Sequence, residues 1–220
     1  MTRLEWDKTG ERTYETGSDR CVLYLQNSDG SYPKGEAWNG FMSLDESPSG
    51  ADNTKLYANN DEYVGMRASE TFGGTIGAYT TPDSFAECDG HTELIPGVSA
   101  GQQVRKPFGL TYRTLIGNDT KGTDYGYKIH LVYGATVSPS EKSYSSVNDS
   151  PEAVELSYEF EATKVPVTGG KPTAHLELDS TKLNEKQIKA IEDALYGTAS
   201  DEAHLPLPDE VVSIITAANN

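Results

Sequence analysis

Glu87, Asp89 and His91 place two carboxylates and an imidazole within five residues, the side chains from which a divalent metal site or an acid–base pair is assembled. Their spacing matches no ligand set that one helix or one hairpin brings to a point. Pro82 to Cys88 reads instead as one or two helical turns that stop before Asp89-Gly90, leaving an acidic helix end followed by a turn. Asn118 to Asp124 looks superficially like a calcium loop. It lacks the regular oxygen ligands and the closing glutamate, and it reads as a hairpin tip. Cys21 and Cys88 stand 67 positions apart with no Cys-x-x-Cys pair and no neighbouring histidine motif, so two free thiols in a reducing compartment are expected. None of GxSxG, HExxH, GxxxxGK[ST] or GxGxxG occurs, and no nucleophile, base and orienting group can be named. The sequence points to a non-enzyme, with no catalytic, cofactor-binding or metal-binding residues expected.

The elements are mostly strands. Met1 to Arg20 shows neither a helical nor a strand period and reads as an irregular N-terminal arm whose Trp6 docks on another surface. Cys21–Gln26 and Ala37–Leu44 read as a hairpin across the turn-rich stretch Asn27–Gly35. Residues 45–61 are rich in Ser, Pro, Gly, Asn and Asp and read as a long exposed loop. Ser69–Thr80 reads as a strand bent by Gly73, Gly74 and Gly77. The clearest hairpin is Phe108–Val137. Phe108, Leu110, Tyr112, Thr114 and Ile116 alternate with polar neighbours, and Tyr127, Ile129, Leu131 and Tyr133 resume the alternation. A further hairpin is expected between Val154–Thr163 and Thr173–Asp179, across Gly169-Gly170. One helix stands out at 184–197, with Asn184 and Gln187 as a capping-box pair, Ile188, Ile191 and Leu195 on one face and Gly197 as its stop. Residues 198–220 read as an extended C-terminal arm in which Leu205 and Leu207, alternating with Pro206 and Pro208, dock onto a neighbour.

A chain of 220 residues suits one domain. Leu, Ile, Val and Phe supply only 41 of those residues, below the roughly 20% level that, with high net charge, signals disorder. Thirteen Tyr and two Trp restore the missing apolar bulk, since a buried ring tolerates a hydrogen-bonded hydroxyl. The core is therefore expected to be thin, with part of the burial completed between subunits. Eighteen basic against 34 acidic residues leave a net charge of −16, which opposes attachment to nucleic acid or an anionic membrane. Met1 to Arg20 is not a signal peptide and no apolar run approaches the roughly 20 residues of a membrane span, so a cytoplasmic protein is expected.

The acid is patterned. Along Val154–Thr163, Val154, Leu156, Tyr158, Phe160 and Ala162 fall on one face, and Glu155, Ser157, Glu159 and Glu161 on the other. Ala174, Leu176 and Leu178 would likewise face inward, with His175, Glu177 and Asp179 outward. Like charges facing one another on a sheet are destabilising. An ordinary solvated face explains them, and so does a surface past which a polyanion slides without sticking. The basic pair Arg105-Lys106 before Pro107 is expected to neutralise acid on a neighbouring subunit.

Four runs in order along the chain carry a resemblance: Leu4-Glu5-Trp6-Asp7-Lys8-Thr9-Gly10-Glu11-Arg12, Ala78-Tyr79-Thr80-Thr81-Pro82-Asp83-Ser84-Phe85-Ala86-Glu87-Cys88-Asp89-Gly90, Arg105-Lys106-Pro107-Phe108-Gly109-Leu110 and Ser150-Pro151-Glu152-Ala153. With the Leu205-Pro206-Leu207-Pro208 ending, they resemble the major tail proteins of long-tailed, non-contractile bacteriophages. The resemblance implies a mainly β, tail-tube-type sandwich or barrel with one flanking helix, a long loop and extended N- and C-terminal arms. It implies six copies per ring, stacked rings, and tape-measure, tail-tip and tail-terminator proteins as partners. DNA would pass through the tube without specific binding, and the protein would be assembled in the host cytoplasm into the virion tail; no membrane, catalytic residue or cofactor is implied. In that setting Glu155, Glu159, Glu161, Glu177 and Asp179 become candidate lumen-facing acids. Trp6, Arg105, Lys106, Leu205 and Leu207 become candidate inter-subunit contacts. The tube of a phage-like bacteriocin fits the same words. From other classes stand a carbohydrate-binding β-sandwich using Trp38, Tyr57 and Tyr63 as a stacking platform, and, more weakly, a glycoside hydrolase using two of the carboxylates.

Overall fold

The computed structural model describes residues 3–50, 52–146, 149 and 153–219, so Ser150-Pro151-Glu152 and the first two residues of the N-terminal arm lie outside the described residues. Strands and helices follow as β1 (Thr13–Leu25), β2 (Gly35–Ala37), β3 (Phe41–Glu46), β4 (Asn53–Ala58), β5 (Asp61–Arg67), β6 (Phe72–Ala78), α1 (Phe85–Cys88), β7 (Thr92–Ile95), β8 (Val98–Ala100), β9 (Phe108–Asn118), β10 (Gly122–Val137), β11 (Leu156–Ala162), β12 (His175–Asp179), α2 (Glu185–Tyr196) and α3 (Pro208–Ala217). Eight strands form one sheet in the order β2-β1-β9-β10-β11-β6-β3, with β12 also on β10. The sheet curls until β1 and β3, far apart along that path, meet again. The fold is mainly β, with α2 and α3 on one flank and the short α1 packed into the inner core.

Two cores form on opposite faces of this sheet, and they explain the apolar pattern. The inner core gathers Cys21, Leu23, Leu110, Tyr112, Val132, Ile76, Tyr158 and Phe160 between the two halves of the curl. The outer core packs Val22, Tyr24, Ile129, Leu131 and Tyr133 under Ile191 and Leu195 of α2 and Val211 of α3. Strands covered on both faces lose their alternation, so Cys21 to Tyr24 is buried without a break. β11 is covered on one face only, and its exposure alternates as expected. Buried tyrosines supply the missing bulk, and Tyr24, Tyr133 and Tyr32 satisfy their hydroxyls within the outer core. Tyr24 donates to Leu195 O (2.6 Å) and Tyr133 to Pro206 O (3.0 Å), while Tyr32 accepts from Gly134 N (2.8 Å).

The Phe108–Val137 hairpin forms as β9 and β10, with Asn118 Oδ1 accepting from Lys121 N (2.6 Å) at its tip. The α2 capping box forms as the sequence predicts: Asn184 Oδ1 accepts from Gln187 N and Gln187 Oε1 from Asn184 N, both at 3.0 Å.

Four expectations are corrected. The irregular arm ends at Arg12. From Thr13 the chain is already β1, whose period is hidden by register shifts around Gly17 (φ +61°) and Arg20 (φ +50°). Residues 45–61 are not one loop, because β3 runs to Glu46 and β4 begins at Asn53 to pair with β5. The C-terminal segment is extended only to Leu207 and then forms α3 against α2. Finally, β11 and β12 are not hairpin partners, being joined only by an isolated Val165–Thr173 bridge. Both run antiparallel to β10 along the same edge: Phe160–Ala162 pair with Ala135–Val137, and His175–Asp179 with Lys128–Val132. β12 thus continues the line of β11 after an excursion, and the junction falls at Gly134, where β10 bulges with φ +59°.

Candidate assembly surfaces

That bulge separates the candidate acids. Glu159 and Glu161 project from the exposed face of β11, opposite buried Tyr158, Phe160 and Ala162, and Glu155 is exposed just before the strand. Across β6, Glu159 and Asp45 both register with Thr75, so an acid from β3 joins the same rank. Gly73 and Gly77 leave this face low; a Cβ on Gly77 would press on Ser43 Oγ. Glu177 is paired instead with His130, whose strand neighbour Val132, two residues on, belongs to the inner core, so Glu177 faces the inner side of the sheet. It contacts Lys128 Nζ (3.2 Å), which also holds Glu15. Asp179 is not a free acid: Thr181 N (2.9 Å), Thr181 Oγ1 (2.6 Å) and Lys182 Nζ (2.9 Å) all converge on it. Burial opposes the ionised form, but the Thr181 and Lys182 hydrogen bonds win and lower its pKa. The five acids therefore do not share one face, and the single acidic hairpin is replaced by an outer rank on β11 and β3 and a separate inner pair.

The candidate contacts divide in the same way. Trp6 is 76% exposed, and its arm is held behind it by Gly10 N on Asp119 Oδ1 (2.9 Å). Leu207 is partly exposed. Leu205 is 2% exposed and packed in the outer core, so it is an intramolecular anchor and not a free contact. Lys106 is occupied by its own chain, with Nζ 3.2 Å from Glu87 Oε2 and its backbone N–H on Glu87 O. Arg105 lines a cleft with Asp89, His91 and Lys142, its Nε buried without a hydrogen-bond partner. Asp89 itself is bonded to Lys142 Nζ (2.6 Å), with His91 Nδ1 at 3.7 Å. Trp38, offered as a sugar platform, is buried against Phe85 and donates Nε1–H to Thr80 O (2.8 Å), while Tyr57 and Tyr63 stand on a separate hairpin. The stacking platform does not form. Cys21 and Cys88 are buried thiols, both driven up by desolvation, Cys88 to about 12.

Two further projecting surfaces are hairpins that the sequence did not show as strands, the first of them overlapping the expected loop 45–61. In β4–β5 every residue is exposed. Register places Thr54, Leu56, Val64 and Met66 on one side of it, an exposed apolar strip in which Met66 is 58% exposed. Tyr57 and Tyr63 add two open rings. The turn carried the signal, because Asn59 (φ +52°) and Asn60 (φ +62°) form the two-residue, positive-φ connection that asparagine favours. β7–β8 turns at Gly97 (φ +83°) and leaves Leu94, Ile95 and Val98 exposed. A third surface is backbone. β2 covers only Val22–Tyr24 of β1, so among the described residues the edge from Thr13 to Arg20 opposite β9 has no ladder partner.

No known family matches the chain by sequence, and no curated protein does. By shape, it is similar to a chain of the sheath–tube complex of the PVC extracellular contractile injection system in its extended state, at TM-score 0.37 and 16% identity over 73% of this chain and 88% of that one. It is similar also to the SPP1 tail tube, at TM-score 0.37 and 12% identity over 73% and 77% of the two chains. A chain of the anti-feeding prophage baseplate gives 0.38 and 7% over 74% and 95%.

Proposed function

We propose that the chain is the structural subunit of a bacteriophage tail tube, six copies forming a ring and rings stacking into a channel for DNA. The observation that carries this reading is the β4–β5 hairpin, an amphipathic pair of strands whose apolar strip stands exposed on the subunit. A lone two-stranded hairpin is marginal in water, and an exposed apolar strip of this kind marks a contact with another protein. The bare β1 edge is a second such demand, since an unpaired edge is a template for a neighbouring strand. Sister copies answer both needs, and closed rings of identical subunits avoid open-ended aggregation. Within the tube, the rank of Glu155, Glu159, Glu161 and Asp45 lines the channel and offers a polyanion nothing to bind. Tape-measure, tail-tip and terminator proteins would cap and gauge the assembly.

Negative-stain electron microscopy of the purified protein tests the reading. Rings or hollow tubes are expected, and removal of residues 53–67 is expected to leave a folded subunit that assembles into neither. A variant lacking the hairpin that still builds normal tubes refutes the assignment.

A further inference from the structure

Three side chains that no sequence spacing links meet at the open end of the inner core. Glu46 ends β3, His130 lies on β10 and His175 opens β12. His130 Nδ1 stands 3.1 Å from His175 Nε2 and 3.6 Å from Glu46 Oε1, and all three ligand atoms lie within 4.8 Å of one another. Ligands of a tetrahedral ion held at about 2.0–2.2 Å are about 3.3 Å apart, so the two shorter separations bracket that edge. We propose that Glu46, His130 and His175 form a binding site for one divalent first-row transition ion, zinc being the reference case, with its fourth position open to solvent.

The surroundings suit an ion better than chance contact. His130 lies parallel to the Tyr112 ring (centroids 4.5 Å apart, 2° between planes), and His175 lies against Phe72 (4.6 Å, 12°), so each imidazole is fixed by an aromatic neighbour. The far nitrogen of His130, Nε2, is 3.0 Å from Thr114 Oγ1, a hydroxyl that can accept from Nε2–H and so leave Nδ1 free to ligate. The Tyr112 hydroxyl donates to Glu46 Oε1 and aims the carboxylate. His175 also lines a cleft with Phe72, Thr173, Lys164 and Arg67, which gives an ion a way in. Two imidazoles and one carboxylate select transition ions over magnesium or calcium, which prefer oxygen. The ion would clamp β3 to β10 and β12, joining the two halves of the curled sheet where they part.

The test uses the full chain, stripped with chelator and kept at a concentration where no tubes form, so its outcome is independent of the tube reading. Calorimetric titration with Zn²⁺ is expected to show one ion per chain, Co²⁺ to show the strong visible absorption of a tetrahedral site, and Mg²⁺ to give no signal. His175→Ala, on a half-buried position, and the near-isosteric Glu46→Gln each weaken Zn²⁺ binding by at least about tenfold, and Thr114→Val by about tenfold through the lost orientation of His130. His91→Ala leaves it unchanged. Zn²⁺ affinity in the wild type no greater than in the Glu46→Gln/His175→Ala double variant overturns the proposal, as does loss of binding in His91→Ala.

Discussion

Replacing Leu205 by alanine separates a residue that holds its own subunit together from one that waits for a neighbour. The segment around it is stitched into the outer core: Leu205 N–H donates to Tyr32 O (3.1 Å), His204 N–H to Ala194 O (2.8 Å) and Gly35 N–H to Ala203 O (2.7 Å). Its side chain occupies the space that Gly109 leaves by lacking a Cβ, and it is 2% exposed. Removing three carbons forfeits about 2.4 kcal/mol of transfer energy at ~0.8 kcal/mol each, and the cavity left beside rigid Tyr32 raises the loss to about 3–4 kcal/mol. For a chain of this size, that lowers the unfolding midpoint by about 10 °C. Urea and thermal unfolding of the dissociated subunit read the change directly. Leu207→Ala, at a partly exposed site, should shift stability by no more than about 0.5 kcal/mol in the same experiment. A Leu205→Ala loss below about 1 kcal/mol, accompanied by failed assembly, would refute the intramolecular assignment and return Leu205 to the interface.

Other outcomes follow from the same geometry. Tyr57→Ser, Tyr63→Ser and Met66→Ser together should leave the subunit's unfolding midpoint nearly unchanged while abolishing tubes under the microscope, because all three are exposed in the free chain. Lysine at Glu155, Glu159 and Glu161 should preserve tube length but slow DNA release, measured as ejection kinetics on particles carrying the variant; unchanged kinetics would remove the β11 face from the channel. Asn184→Ala should cost about 1 kcal/mol by leaving the first turn of α2 without its cap, seen as a midpoint drop of a few degrees. Cys21 and Cys88 should resist a thiol reagent in the native state and react together on unfolding; rapid labelling of either in native protein would contradict their burial.

What the sequence made legible was local. The β9–β10 hairpin and the α2 cap rest on neighbours in the chain, an alternation and a three-residue reciprocity, and both formed where those signals stand. The alternation of β11 was equally plain, because only one of its faces is covered. The first part of β1, Thr13 to Arg20, hid itself because two register shifts reset its period, whereas its buried end was legible as a strand from Cys21. The β4–β5 hairpin was obscured by composition, since the Ser, Pro and Asp content of 45–61 outweighed the Asn59-Asn60 turn at its end. Glu46, His130 and His175 had no signal at all: the pairing of β12 with β10 joins the two histidines, and only the curl of the sheet brings Glu46 of β3 to them.

The placement of the acids turns on one glycine. Read as two strands of a hairpin, Val154–Thr163 and Thr173–Asp179 present all their carboxylates on one side, and the pattern of residues gives no reason to doubt it. The edge of β10 accepts both segments in line, and the bulge at Gly134 reverses which face looks inward between them. Beyond the bulge, Leu176 and Leu178 turn outward to meet the helices, and Glu177 and His175 turn inward. Before it, Phe160 fills the inner core and Glu159 and Glu161 face solvent. A side chain at Gly134 would press on Thr163 Cβ and O from a left-handed backbone that β-branched residues avoid. Gly134→Val should therefore weaken the junction of β10 with β11 and β12 rather than any single core contact. Hydrogen exchange reads this directly: protection is expected to fall first at Thr163 and Tyr133, whose N–H groups bond to Gly134 O and Ala174 O across the junction, and uniform loss over the whole sheet would show that the bulge does not set the two faces apart.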